Sequence, residues 1–84
     1  MFPLYTVATV DSKMILQNYL LFANISEYRG SMKSLVELMY WVIGETTSVQ
    51  SLERTIAENM YIGNYYLAMY RKDNRVEVCI KKMR

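Results

Sequence analysis

Eighty-four residues leave room for one domain built on one small core. The hydrophobic fraction of 52 % exceeds the usual roughly 45–50 % and excludes a disordered chain. The chain has no histidine, the commonest general base and metal ligand, and its single cysteine, Cys79, excludes an internal disulfide and a tetrahedral zinc site. Net charge is only +2, but residues 71–84 hold six basic side chains against two acidic, while the rest of the chain holds four against six. That asymmetry suits a polyanion met at one end of the molecule; the plainer reading is a solvated tail.

The eight carboxylates are scattered, no two at the spacing of a catalytic pair, and the three glycines are too far apart for a phosphate-cradling loop. No catalytic residue, metal or cofactor is therefore expected. Met1 to Val10 has no basic leader segment, and the longest apolar run, Met14 to Ala23, is interrupted by Gln17 and Asn18. It falls short of the roughly 20 residues that span a bilayer, so no membrane segment is expected and the cytoplasm is the simplest location.

In chain order, Phe2 to Val10 is rich in β-branched and aromatic residues and reads as a strand, which Pro3 confines to a sheet edge or a strand start. Asp11 or Ser12 offers an N-cap for a helix over about 12–24, with Ile15, Tyr19 and Phe22 on one face and Leu16, Leu20 and Ala23 beside it. Asn24 to Gly30 reads as a polar connection. A second helix over 32–43 opens with a Ser34/Glu37 capping box or with Ser31 one turn earlier, and Gly44 fits its C′ position.

That helix is apolar nearly all round: Leu35, Leu38, Met39 and Val42 repeat at helical spacing, while Val36, Trp41 and Ile43 widen the stripe. Either it lies at the centre of the domain, covered on every side, or part of it is buried in a dimer. A third helix over 48–60 opens at Thr47 and Gln50, again at capping-box spacing, and Gly63 closes it. Val49, Leu52, Ile56 and Met60 form its inner stripe. Thr47, Ser51, Arg54 and Glu58 fall opposite, with Gln50 and Thr55 at the margins.

Residues 64–82 read as a β-hairpin with a two-residue loop at Asp73-Asn74, both of which tolerate positive φ. That loop pairs Lys72 with Arg75, Arg71 with Val76, Met69 with Val78 and Leu67 with Ile80. Leu67, Met69, Val76, Val78 and Ile80 then share a core face, and Tyr66, Ala68, Tyr70, Glu77, Cys79 and Lys81 share the other. Of the eight tyrosines, Tyr66 and Tyr70 are the ones the core least needs, and a protein-facing surface would use them.

Residues 31–82 resemble the winged helix-turn-helix family of DNA-binding proteins. The resemblance is carried by Ser34-Leu35-Val36-Glu37-Leu38 in the first helix of the pair and Gly44-Glu45-Thr46-Thr47 in the turn. It continues through Ser48-Val49, Leu52, Ile56 and Met60-Tyr61-Ile62 in the second, and Arg71-Lys72-Asp73-Asn74-Arg75 at the wing. The chain departs from the family in lacking a glycine at the wing tip and in a less basic recognition face. It is similar above all to the small members carried by phages and plasmids, repressors and TubR-like partition proteins that bind centromeres among them.

The resemblance implies an α+β winged helix fold over 1–84 and binding to double-stranded DNA as a homodimer, in transcription regulation or plasmid partition. By position it assigns Thr47, Gln50, Ser51, Arg54 and Thr55 to base and backbone contacts from the third helix, and Lys72 and Arg75 to phosphate contacts from the wing. Arg is the usual reader of guanine, although Arg54 can equally pair with Glu58 one turn on. The alternative from a different class is a non-enzymatic, phage-encoded inhibitor, of the kind that blocks CRISPR systems, binding a host protein through its tyrosine-rich surface.

Overall fold

The computed structural model describes residues 4–83, and side chains from Ser12 onward. Three helices and a four-stranded antiparallel sheet make an α+β fold. The order is α1 (Leu4–Ala23), β1 (Glu27–Ser31), α2 (Met32–Ile43), α3 (Val49–Glu58), β2 (Tyr61–Ile62), β3 (Tyr65–Lys72) and β4 (Arg75–Lys82). In space the strands run β1-β4-β3-β2, so the strand that precedes α2 returns to pair with the last one. No helix among the described residues is long and apolar enough to cross a membrane.

The strand expected at Phe2 to Val10 is replaced by helix over its described part. Residues 4–10 belong to α1, and Phe2 and Pro3 lie outside the described residues. Strand propensity is a weak, context-dependent preference. No glycine or proline interrupts Leu4 to Ala23, so a helix already nucleated on Ile15, Leu16, Tyr19 and Leu20 extends cooperatively upstream. Ser12, expected as an N-cap, instead lies mid-helix, fully buried, its hydroxyl 3.1 Å from that of Thr47. Asn24 ends α1 in the left-handed region (φ 50) with its N–H on the Leu20 carbonyl.

The missing edge strand is supplied by Glu27–Ser31, a segment with the composition of a loop. Gly30 is extended there and does not turn the chain. A Cβ at that position would come within 2.8 Å of the Tyr28 hydroxyl, which donates 2.9 Å to the Ser31 carbonyl. The Tyr28 side chain folds back over position 30, and a larger residue there would have to displace its hydroxyl end.

Ser31 caps α2, accepting the Ser34 N–H at 3.1 Å, and Gly44 closes the helix at φ 72 with its N–H on the Tyr40 carbonyl. Of the two openings, the earlier one forms. Gly63 does not end α3; Asn59 does, and Gly63 (φ 60) takes the first central position of the tight turn between β2 and β3.

The core joins Ile15, Leu16, Tyr19 and Leu20 of α1 to Met32, Leu35 and Met39 of α2 and to Leu52 and Ile56 of α3. Ile62, Tyr65, Leu67, Val78 and Ile80 close it from the sheet. Both α2 and α3 therefore lie on one face of the sheet. The Tyr65 hydroxyl donates 2.7 Å to the Ile25 carbonyl, tying that sheet to the end of α1.

Candidate nucleic-acid interface

Two surfaces were expected to meet DNA, the outward side of α3 and the β3–β4 loop. Ser48, one residue after the expected Thr47, caps α3: its Oγ accepts the Ser51 N–H at 3.0 Å. Thr47 is spared for another contact, its hydroxyl paired with Ser12, and is half-buried. No carboxylate occupies the first turn of α3.

Along α3, Gln50, Arg54, Ala57 and Glu58 are exposed, and Ser51 and Glu53 are half-buried. Thr55 is 6 % exposed and packs inward beside Leu52 and Ile56, so its assignment to a DNA-facing side is corrected. The expected inner stripe ran on to Met60, but the helix stops at Glu58 and Met60 is exposed. Val49, at the other end of the expected stripe, is 39 % exposed as well, and the buried stripe is Leu52, Thr55 and Ile56. The outward side turns accordingly and centres on Gln50, Arg54 and Ala57.

Arg54 does not pair with Glu58; among the described residues the one ion pair joins Arg29 and Glu27 at 3.4 Å. An uncommitted guanidinium in the middle of the solvent face can present its planar fork to a base edge or a phosphate.

The hairpin register is as the alternation predicts: Lys72 pairs with Arg75, Arg71 with Val76, Met69 with Val78 and Leu67 with Ile80. Asp73 and Asn74 both have positive φ (51 and 66), the requirement of a type I′ turn. Lys72 and Arg75 thus stand directly opposite each other, exposed, next to an open depression that Asp73 and Glu77 also line. Like charges in a cross-strand pair cost stability, and the Asp73 and Glu77 carboxylates around the same depression offset part of that cost.

Of the seven expected residues, Gln50, Arg54, Lys72 and Arg75 are exposed, Ser51 and Thr47 are half-buried, and Thr55 is buried. A feature the reading missed is the short β2–β3 hairpin, which brings Tyr61 beside Tyr66 with ring centroids 5.6 Å apart. Its signal was present: Gly63-Asn64 between Tyr61-Ile62 and Tyr65-Tyr66 is a two-residue hairpin pattern.

Nor does the domain cover α2. Its inner face, Met32, Leu35 and Met39, is buried, but Trp41 is 79 % exposed, with Leu38, Tyr40 and Val42 also at the surface. On α1, Leu21 and Phe22 are 71 % and 72 % exposed. Of the two fates open to α2, full coverage within the chain does not occur among the described residues. Comparison with protein-family models, with curated proteins and with solved structures finds no match to this chain.

Proposed function

We propose that the protein is a winged helix-turn-helix module that binds double-stranded DNA sequence-specifically as a homodimer, in transcription regulation or plasmid partition. The observation that carries this reading is the pairing of two features in one chain. The first is a capped, ten-residue helix after a five-residue connection from α2, with Arg54 and Gln50, unpaired among the described residues, at the centre of its solvent face. The second is a type I′ hairpin tip that opposes two cations. In such a module α3 enters the major groove and reads bases, while Lys72 and Arg75 hold flanking phosphates.

One copy offers few base contacts, and a two-fold pair doubles them on a pseudo-palindrome. Trp41 and Leu38 on α2, with Leu21 and Phe22 on α1, supply exposed apolar side chains for that pairing.

An electrophoretic titration with the DNA flanking the protein's own gene tests the reading. A salt-sensitive, sequence-preferring shift that Arg54→Ala reduces to the level of random DNA supports it. No shift of any duplex at ~50 mM salt, where backbone contacts alone produce binding, would transfer the case to the inhibitor reading. That reading rests on exposed Tyr61 and Tyr70.

A further inference from the structure

The face of the sheet turned away from α2 and α3 has its own pattern. Along β3 it carries Tyr66, Ala68, Tyr70 and Lys72, and along β4 Lys81, Cys79, Glu77 and Arg75. β1 adds Glu27 and Arg29, and β2 adds Tyr61. The register sorts these into rows: Tyr61, Tyr66, Lys81 and Glu27, then Ala68, Cys79 and Arg29, then Tyr70 and Glu77, then Lys72 and Arg75. Rows on one face repeat about every 7 Å. The small side chains of Ala68 and Cys79 separate two rows headed by tyrosine rings, and in their row the Arg29 guanidinium lies beside Cys79 and Tyr70.

Both carboxylates on this face are engaged. Glu27 pairs with Arg29 at 3.4 Å, and Glu77 accepts the Tyr70 hydroxyl at 3.2 Å. Desolvation, that hydrogen bond and the charge of Glu77 hold the Tyr70 hydroxyl above the ordinary tyrosine range. Lys72, Arg75 and Lys81 have no such partner among the described residues, and all three are exposed. On this face Arg29, Lys72, Arg75 and Lys81 outnumber Glu27 and Glu77, so the net charge is positive, and it is interleaved with aromatic rings.

We propose that this open sheet face, centred on Tyr66 and Tyr70, binds single-stranded DNA, with unpaired bases stacked on the tyrosines and phosphates held by Lys81, Arg75 and Lys72. Cations select the polyanion, and the rings select unpaired bases, because a duplex keeps its base faces inside the stack. Single-stranded DNA is favoured over RNA because Lys72 and Arg75 belong to both surfaces. On the duplex-binding reading, a strand unpaired beside a bound duplex passes from the wing directly onto this face.

The test is fluorescence anisotropy with three labelled 20-mers, oligo-dT, oligo-U and a blunt duplex, against the parent protein, Tyr66→Ala, Tyr70→Ala, Tyr66→Phe and Arg54→Ala. The parent should bind oligo-dT in a salt-dependent way. Tyr66→Ala and Tyr70→Ala should each weaken it roughly ten- to hundred-fold, the range for losing one stacked base. Tyr66→Phe should bind like the parent, as should Arg54→Ala, and duplex affinity should be unchanged in the tyrosine variants. Tyr70→Ala and Tyr66→Phe keep the test readable if Tyr66→Ala does not fold.

Failure of the parent to bind oligo-dT while it binds duplex overturns this proposal alone. So do tighter binding to oligo-U, unchanged affinity in the folded tyrosine variants, or dissociation of a homodimer by them, which would make this face an interface between copies. Loss of all duplex binding with the oligo-dT pattern intact would overturn the duplex reading and leave this one standing.

Discussion

Helices α2 and α3 meet the core in the same way and meet solvent in opposite ways. Each is capped by a serine one residue before its first turn, and each buries a stripe, Met32, Leu35 and Met39 in one and Leu52, Thr55 and Ile56 in the other. Outward, α3 shows Gln50, Arg54 and Glu58, whereas α2 shows Leu38, Trp41 and Val42. Burial within the chain explains the inner stripes of both. On the homodimer proposed above, a second copy covers the outer side of α2, because an exposed Trp beside Leu gains nothing from water. A polar face such as that of α3 is at home in water and carries information only through the identity and freedom of its side chains.

The comparison breaks most visibly on the inside. Leu52→Ala should cost about 2–5 kcal/mol of stability by leaving a cavity among fully buried neighbours, measured by urea or thermal unfolding. On the outer side of the same helix, Arg54→Ala should leave that midpoint in place and weaken the specific DNA site by ~1–3 kcal/mol. A specific site bound as tightly by Arg54→Ala as by the parent would mean that α3 does not read it.

For α2 the contrast sharpens differently. Trp41→Ser removes a side chain that touches solvent over most of its surface, so the isolated domain should lose little stability. The dimer should be lost, and sedimentation at tens of micromolar should show the parent as a dimer and the variant as a monomer. With it should go the dependence of melting temperature on protein concentration. A parent that is monomeric at that concentration would remove the interface from α2. The smallest effect belongs to the caps: Ser48→Ala should cost ~1 kcal/mol, visible in the melting midpoint. Thr47→Ala should act through its contact with Ser12 and not as a lost cap.

How much of this was legible in the sequence follows from how local each determinant is. The β3–β4 register could be read because strict alternation and Asp73-Asn74 fix it together, without help from the rest of the fold. The bounds of α2 were legible for the same reason, with Ser31 and Gly44 acting on their own helix. β1 was not, because a five-residue edge strand of composition Glu-Tyr-Arg-Gly-Ser is stabilised by its partner β4 and has no apolar alternation of its own. The apparent strand at Phe2 to Val10 filled the place of an edge strand in the reading and drew α1 short.

Thr55 was misplaced because two assumed stripe residues are exposed, Val49 in the first turn and Met60 beyond the end of the helix. A wheel drawn through them turns the outward face by part of a residue step. The site residues that survived, Gln50, Arg54, Lys72 and Arg75, are those whose exposure does not depend on where α3 ends.

The most direct test of duplex binding by α3 and the wing is the salt dependence of affinity for a labelled duplex, measured for the parent and for Lys72→Ala/Arg75→Ala. Both variant positions are exposed at a turn held by Asp73, Asn74 and the paired strands, so the fold should persist. Each lost phosphate contact should flatten the slope of log K against log salt by ~0.9, or about 1.8 per protomer for the pair, with specific and random DNA weakened alike. A double variant with the parent's slope and affinity would contradict the account, because the two cations at the tip would then face something other than DNA.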